Sequence, residues 1–392
     1  MSASYLIAAR RTPIGKMLGQ LSSLPAPQLG AIAIRAALAD SGLAAEQIDE
    51  VIMGNVLQAG VGQAPARQAL LAAGLPENIS ALTVNKVCGS GLKAVMLADQ
   101  AIRAGDARAI IAGGMESMSL APHLLPGVRS GWKFGPQTSL DAMVHDGLWC
   151  PTEQRAMGCL ADDTATGASI TRGAQDAFAL ASQQRAVQAQ EAGLFKNEIV
   201  PVSVKLGKTE TVVDRDEGPR AGISLADLTK LRPAFGSEGT ATAGNASQIS
   251  DGAAAVVVVN EALAQQSNSP LKARIVATAA SSLAPKSLFL APIAAVRSVL
   301  EKANLSTHDI NLFELNEAFA SQCLACMNEL RLPHEKTNIR GGAIALGHPI
   351  GCSGARVLVT LLHALQQRNE KRGLASLCLG GGGAVAVIVE RI

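Results

Sequence analysis

The chain has 392 residues and a formal net charge of +2, with 48% hydrophobic, 17% charged and only 3% aromatic residues. This length predicts at least two domains, and the balanced charge without an aromatic-basic platform argues against a nucleic-acid partner. The sequence has no uninterrupted apolar run long enough to indicate a membrane span. Its seven cysteines are scattered and its N-terminus lacks a secretory pattern, which predicts a cytoplasmic location.

An internal repeat is the strongest organisational signal in the chain. Residues 33–55, "AIRAALADSGLAAEQIDEVIMGN", match residues 295–316, "AVRSVLEKANLSTHDINLFELN", and each copy predicts a helix followed by a strand that ends at Asn. The match continues from residues 87–114 to residues 350–382. The repeat therefore predicts an α/β fold of two similar α-β-α halves, related by a pseudo-two-fold axis.

The repeat also divides the chain. We predict a first core half at 1–119 and 250–269, a loop-rich insertion at 120–249, and a second core half at 270–392. The insertion has no counterpart in the second copy and is rich in Gly, Pro and polar residues. The run "DGAAAVVVVN", residues 251–260, predicts a buried strand that returns to the first half.

Cys88 is the first candidate catalytic residue. It follows the apolar segment "ALTV" and precedes a predicted amphipathic helix, within "NKVCGSGLKAV". Backbone N–H groups at a helix N-terminus stabilise a thiolate, so we predict a nucleophile with a lowered pKa. Gly89 and Gly91 are expected to leave room for a substrate. The alternative is a buried structural cysteine in a tight turn.

His348 and Cys352 stand close together in "GHPIGCSG", and the repeat separates their roles. The proline after His348 restricts that residue to an extended backbone, which fixes the direction of its ring. In the repeat alignment, Gly351 takes the position of Cys88, so Cys352 lies one residue off and is predicted to pack in the core. The alternative for His348 is a loop residue without function.

Two further candidates follow strand-like runs in the second half. Cys378 precedes four glycines in "CLGGGG", which could be a simple hairpin or a nest of N–H groups that binds an oxyanion. Asn316 in "ELNEAF" could hold a water or a substrate carbonyl, or serve only as a helix cap. Cys323 and Cys326 lack a second cysteine pair, which favours buried structural thiols over a zinc site.

These motifs together resemble the thiolase family over nearly the whole chain, and within it the acetyl-CoA C-acetyltransferase (acetoacetyl-CoA thiolase) branch. The resemblance rests on four motifs in order: "NKVCGSG" (85–91), "NEAFA" (316–320), "GGAIALGHPIG" (341–351) and "CLGGG" (378–382). It is supported by "MVHDGL" (143–148) and by residues 231–247. It implies a thiolase-like duplicated five-layer core.

The resemblance also implies the chemistry and its residues. His348 would take the proton of Cys88, whose thiolate forms an acyl-enzyme, and Cys378 would remove a proton from a second acetyl-CoA. His348 and a water on Asn316 would hold the enolate oxygen, and backbone N–H groups of Cys88 and Gly380 would hold the thioester oxygen. No metal and no cofactor beyond coenzyme A thioesters are implied.

Residues for CoA binding are carried over from the family in the same way. Arg220 would face the adenine or phosphate end of CoA. The others would line the pantetheine channel: Leu148, Met157, Ala234, Phe235, Ala243, Ser247, Ile249, Ala318 and Phe319. The loop at 122–135 resembles the one through which thiolases form homotetramers, dimers of dimers, although a solvated loop is the alternative.

The sequence departs from the family around the substrate and keeps all four catalytic positions. Ala156 stands where the family commonly has His, Leu288 and Phe289 stand where short-chain members carry Met-Gly, and Gly383-Ala384 alters the last motif. The leading hypothesis is acetyl-CoA C-acetyltransferase activity, in condensation and in thiolysis. The alternatives are a 3-ketoacyl-CoA thiolase of broader chain length and a non-catalytic acyl-CoA-binding member.

Overall fold

The computed structural model describes residues 3–206 and 209–392. The helices are α1 Ala26–Ser41, α2 Pro65–Ala72, α3 Ser90–Ala104, α4 Met157–Gly167, α5 Arg172–Glu191, α6 Leu225–Thr229, α7 Glu261–Gln266, α8 Ala291–Ala303, α9 Ala320–Leu330, α10 Ala343–Leu346 and α11 Ser353–Gln367. The strands are β1 Ser4–Arg11, β2 Gly15–Lys16, β3 Glu50–Gly54, β4 Ser80–Val84, β5 Ala109–Ser117, β6 His123–Leu124, β7 Leu140–Asp141, β8 Trp149–Cys150, β9 Arg155–Ala156, β10 Val202–Leu206, β11 Thr209–Val213, β12 Ser250–Asn260, β13 Ala273–Ser282, β14 Leu312–Leu315, β15 Arg372–Leu379 and β16 Gly383–Arg391.

The sheet topology reproduces the internal repeat. The strand order is β14-β15-β16-β13-β1-β12-β5-β3-β4, and β2 pairs with β12. In the first half β3 and β5 are parallel and β5, β12 and β1 are antiparallel neighbours. The second half repeats this with β14 and β15 parallel, followed by antiparallel β16 and β13. The halves join where β1 meets β13, at Tyr5 opposite Arg274 and Leu6 opposite Ala273.

Five layers of helices and strands follow from where the apolar side chains pack. Helices α1 and α2 cover the outer face of the first half, and α8 and α9 cover the outer face of the second. Helices α3 and α11 lie between the two halves and share one core with strands from both. The predicted duplicated α-β-α architecture is therefore confirmed.

The N-terminal ends of α3 and α11 cross closely. A Cβ on Gly91 would lie 2.7 Å from the backbone nitrogen of Ala355, so this glycine permits helix packing. A Cβ on Gly89 would lie 2.3 Å from Leu379 Cδ2. The expectation that these two glycines make room for a substrate is therefore wrong, because it is protein atoms that occupy the space beside both.

The segment 120–249 is more helical than predicted. It contains α4 and the twenty-residue helix α5, besides short two-stranded pairs. Phe178 and Ala179 of α5 pack into the outer core of the second half. The predicted returning strand is confirmed as β12, which lies between β1 and β5. Among the described residues, no helix is both long and apolar enough to cross a bilayer.

Candidate active site

The candidate catalytic side chains meet where the two halves and the insertion come together. Cys88, His348 and Cys378 line one cavity of about 350 Å³. The side-chain amide of Asn316 contacts the imidazole of His348. The volume suits part of a small-molecule substrate. Among the described lining residues there is no Asp, Glu, Lys or Arg. Charge that develops in this cavity must therefore be stabilised by thiol, imidazole, amide and backbone N–H groups.

Cys88 is held on a strained turn between β4 and α3. Val87 has a φ of +46°, which is rare for a β-branched residue and costs conformational energy. The turn is fixed by Ser90, whose Oγ accepts from Lys86 N at 2.8 Å and donates to Val87 O at 2.6 Å. The nucleophile is thus placed by the local fold and remains partly accessible from the cavity.

The predicted lowering of the Cys88 pKa is wrong. Burial raises the pKa of the Cys88 thiol to about 11, and the negative charge of Glu116 acts in the same direction. Hydrogen bonds from the backbone N–H groups of Gly380 and Cys88 itself oppose this and do not overcome it. The cause is the apolar wall of Val56, Leu57 and Ile350, which packs beside the sulfur.

His348 is oriented by its own loop. Its Nδ1 lies 2.5 Å from Ser353 Oγ, and that hydroxyl donates to Pro349 O at 2.9 Å. The hydroxyl therefore accepts from Nδ1–H, which leaves Nε2 as the unprotonated nitrogen. Burial and the positive charge of Arg356 lower the pKa of His348 to about 3. The imidazole is thus neutral at physiological pH, ready to accept a proton at Nε2.

Asn316 follows the end of β14, as predicted. Its backbone N–H donates to Ser376 O at 3.0 Å, and its Nδ2 lies 3.5 Å from His348 Nε2. Its Oδ1 is buried and has no hydrogen-bond partner among the described protein atoms. An unpaired buried carbonyl oxygen is costly, so this acceptor suits a water or a substrate group.

Cys378 is the penultimate residue of β15, just before the glycine turn. Burial raises its pKa well above the usual value for a thiol, and the charge of Cys88 adds to the effect. Gly380 donates its backbone N–H to the sulfur of Cys88, and β16 begins at Gly383. The glycines therefore form a hairpin turn that also presents an N–H group at the sulfur of Cys88, and binding of an oxyanion there stays a prediction.

The raised pKa of Cys88 predicts its reactivity towards iodoacetamide. The thiolate is the reactive form, and below its pKa its fraction grows about tenfold per pH unit. We expect alkylation of Cys88 in a His348→Ala variant, which lacks the general base, to accelerate continuously from about pH 6 to about pH 10 when it is followed by peptide mass spectrometry. A plateau near neutral pH in this variant would show that the pKa of Cys88 is low and would contradict this electrostatic account.

The predicted CoA-contacting residues fall into two places. All except Arg220 line the same cavity as Cys88: Leu148, Met157, Ala234, Phe235, Ala243, Ser247, Ile249, Ala318 and Phe319. Arg220 is exposed and lines a separate surface pocket with Gln184 and Glu191. Its backbone N–H donates to Gln183, which anchors its segment to α5. The structure therefore does not place Arg220 in the cavity.

Sequence reasoning missed several residues that shape the cavity. The backbone oxygen of Gln248 accepts from His348 N at 2.9 Å, and its side-chain amide donates to Ala345 O at 2.9 Å. Leu288 and Phe289 were noted only as departures, and both line the cavity near Cys378. No local motif marks Gln248, because its role depends on two loops that are distant in sequence.

Cys352, Cys323 and Cys326 are buried, as predicted for structural thiols. Cys352 is fully buried in the central core, one residue before α11, whereas Gly351 matches the position of Cys88 before α3. Cys323 and Cys326 are buried free thiols, and the latter donates to Phe289 O at 3.2 Å. Among the described residues, no group of His, Cys, Asp and Glu side chains is arranged to bind a metal.

Comparisons with known proteins agree with this architecture. Residues 4–262 match the family model "Thiolase, N-terminal domain", and residues 269–391 match "Thiolase, C-terminal domain". The chain is 50% identical over 392 residues to the acetyl-CoA acetyltransferase of Pseudomonas aeruginosa, covering 100% of both chains. It is also 50% identical over 393 residues to the acetyl-CoA acetyltransferase of Escherichia coli strain K12, again with 100% of both covered.

A solved structure gives the same picture. The crystal structure of the Bacillus anthracis acetyl-CoA acetyltransferase superposes with a TM-score of 0.98 at 38% sequence identity. The match covers 100% of this chain and 99% of that one. The similarity therefore extends over the two halves and the insertion alike.

Proposed function

Because this chain belongs to the thiolase family, we propose that it is an acetyl-CoA C-acetyltransferase. It would condense two acetyl-CoA molecules to acetoacetyl-CoA and CoA, and catalyse the reverse thiolysis. The observation that carries the proposal is that one cavity brings together Cys88, His348 and Cys378, with Asn316 behind the imidazole. The full-length relatives with acetyl-CoA acetyltransferase names support the choice of substrate.

In the first half-reaction, Cys88 acquires the acetyl group. His348 Nε2 takes the thiol proton while Sγ attacks the thioester carbonyl carbon. The carbon–sulfur bond to CoA breaks, and the CoA sulfur leaves with the proton from His348. The backbone N–H groups of Cys88 and Gly380 donate to the oxyanion. Since the pKa of free Cys88 is raised to about 11, this general base is needed at neutral pH.

In the second half-reaction, Cys378 gives its thiol proton to His348 Nε2 and then acts as a thiolate base on a second acetyl-CoA. It takes a methyl proton, and the enolate carbon attacks the acetyl carbonyl on Cys88. The Cys88 carbon–sulfur bond breaks, His348 returns its proton to the Cys88 sulfur, and Cys378 keeps the methyl proton as a thiol. A thiol with a strongly raised pKa gives a strong base once ionised, which suits a weakly acidic carbon. The Nε2–H that His348 gains from Cys378 and a water on Asn316 hold the enolate oxygen. Every step uses groups of the protein and of its CoA thioester substrates.

The walls of the cavity favour a short acyl group. Leu288, Phe289 and Phe319 pack in one cluster with Cys378, and the rings of Phe289 and Phe319 meet edge to face at 5.3 Å. These buried side chains limit the space next to the reacting carbon. The remaining lining residues are mostly apolar, which suits a pantetheine arm, while Arg220 stays a proposal for the distal end of CoA.

A single thiolysis experiment tests the proposal. The purified protein is given CoA and 3-ketoacyl-CoA substrates of increasing chain length, and loss of the magnesium–enolate absorbance is followed. We expect kcat/KM for acetoacetyl-CoA to exceed that for long-chain substrates by about tenfold or more, as a crowded pocket discriminates added methylenes. Equal rates would favour the broader 3-ketoacyl-CoA thiolase, and no reaction would favour a non-catalytic acyl-CoA-binding protein.

We also propose that the protein is a cytoplasmic homo-oligomer, a tetramer formed as a dimer of dimers. Strand β4 is an edge strand with Leu82 exposed, and an exposed edge is suited to a second copy. The loop at 122–135 exposes Trp132 and Phe134, which supports a contact between copies there. All seven cysteines are free thiols, which fits a reducing compartment.

A further inference from the structure

The duplicated fold contains a second, altered copy of the catalytic positions. In the first half Gly54 pairs with Gly114, and in the second half Leu315 pairs with Ser376. Asn55 directly follows Gly54, and Asn316 directly follows Leu315, so these two asparagines correspond. Glu116 lies two residues after Gly114, and Cys378 lies two residues after Ser376, so these two residues correspond as well. Gly351, two residues before α11, corresponds to Cys88, two residues before α3.

In this second copy, a carboxylate connects the two halves. Glu116 is fully buried and accepts four hydrogen bonds. Its Oε1 accepts from Asn55 Nδ2 at 2.6 Å and from Leu57 N at 3.2 Å, both in the first half. Its Oε2 accepts from Val56 N at 3.0 Å and from Gly351 N at 2.8 Å, the latter in the second half.

The absence of a side chain at Gly351 allows this arrangement. A Cβ there would lie 2.6 Å from Glu116 Oε2 and 2.8 Å from the backbone oxygen of Met115. The carboxylate therefore occupies the space that a nucleophile side chain would fill in the second copy. Gly351 lies between His348 and Ser353, whose hydroxyl orients the imidazole. Holding Gly351 N thus holds the loop that carries the general base.

We propose that Glu116 is a positioning residue that fixes His348 relative to Cys88 across the interface between the halves. The inference rests on the proposed function, because it assigns Glu116 to the same proton transfer. Two residues that Glu116 holds, Val56 and Leu57, form one apolar cluster with Cys88 and with Ile350, the neighbour of Gly351. The carboxylate therefore determines the distance between the sulfur and Nε2 without touching substrate.

A double-mutant cycle on the alkylation of Cys88 tests this role. The rate of modification by iodoacetamide is measured at about pH 8, where Glu116, whose pKa burial raises to about 7, is mostly ionised, for the wild type, Glu116→Gln, His348→Ala and the double variant. The glutamine keeps the size of the side chain but replaces one acceptor oxygen with an NH₂ group. We expect Glu116→Gln to slow alkylation about tenfold when His348 is present, because a small displacement of a general base is costly.

In the His348→Ala background we expect no slowing, and a small acceleration is also consistent with the proposal. The negative charge of Glu116 raises the pKa of Cys88, so its removal alone favours the thiolate. A role confined to stability would slow alkylation equally in both backgrounds, and that result would overturn the proposal. Because alkylation needs no acetyl-CoA, the cycle remains informative if the wild type shows no acyltransfer.

Two further variants protect the test against loss of folding. Asp99→Asn is the matched control, since Asp99 is a buried carboxylate of α3 that accepts from Ser4 and Arg103, away from the cavity. We expect Asp99→Asn to leave the alkylation rate unchanged. If Glu116→Gln does not fold, Asn55→Ala removes one donor to the same carboxylate. It should slow alkylation about threefold, again only with His348 present. Slowing no greater than that of Asp99→Asn would overturn the proposal.

Discussion

Replacing Cys88 with alanine is expected to abolish acetoacetyl-CoA synthesis and thiolysis, with a loss of roughly 10⁴-fold or more in kcat. In the proposed mechanism this sulfur forms the covalent intermediate, and the other thiol of the cavity, Cys378, acts as the base. The matched variant is Cys352→Ala, which removes a thiol fully buried in the central core. This control should keep most of the activity, because Cys352 packs between α3 and α11 and does not line the cavity.

The comparison is decisive because the two cysteines occupy similar places in the two halves. Cys88 precedes α3, and Cys352 precedes α11, yet only Cys88 lines the cavity. Activity in both is to be measured by the absorbance of the magnesium–acetoacetyl-CoA complex, with thermal unfolding as the check on folding. A severe loss in a folded Cys352→Ala protein, equal to that in Cys88→Ala, would contradict the assignment.

Replacing Cys378 with serine is expected to separate the two half-reactions. A serine hydroxyl has nearly the same size as a thiol but is a far weaker acid. It therefore does not ionise, and without the anionic form it cannot act as a base towards the acetyl methyl group. We expect condensation to fall by about 10²–10⁴-fold, the range associated with general acid–base catalysis. Exchange of labelled CoA into acetyl-CoA, which needs only Cys88 and His348, should fall less than about tenfold.

The control for this variant is Cys326→Ser, which changes a buried thiol in the neighbouring helix α9. The hydroxyl can still donate to the backbone oxygen of Phe289, as the thiol does at 3.2 Å. It should therefore retain condensation and exchange together. If Cys378→Ser lost exchange as severely as condensation, Cys378 would be required for the first half-reaction, and the proposed division of roles would be wrong.

The sequence contained enough information for the fold because the chain repeats itself, and the candidate catalytic positions came from motifs that resemble a known family. The alignment of "VCGSG" with "IGCSG" separated Cys352 from Cys88, and the structure places the former in the core and the latter in the cavity. The strands after each helix also followed the repeat. Asn316 lies beside His348, as the family resemblance implied.

Properties that depend on distant segments were not accessible in the same way. The pKa of Cys88 was predicted to be lowered by the start of α3, whereas apolar residues from two other loops bury the sulfur and raise it. Arg220 was assigned to the distal end of CoA by family position, and that assignment stays a prediction: its segment is anchored to α5 and lines a separate surface pocket. No local motif marks Glu116, which lies inside a strand, because its hydrogen-bond partners come from both halves.

The most direct test of the central claim is the identification of the acetylated residue. The wild type and Cys378→Ser are incubated with acetyl-CoA, digested at acidic pH and analysed by mass spectrometry. We predict a single acetyl group on the peptide that contains Cys88, with a higher occupancy in Cys378→Ser because the second half-reaction is blocked. An acetyl group on Cys378, or none on Cys88 in either protein, would contradict the proposed mechanism.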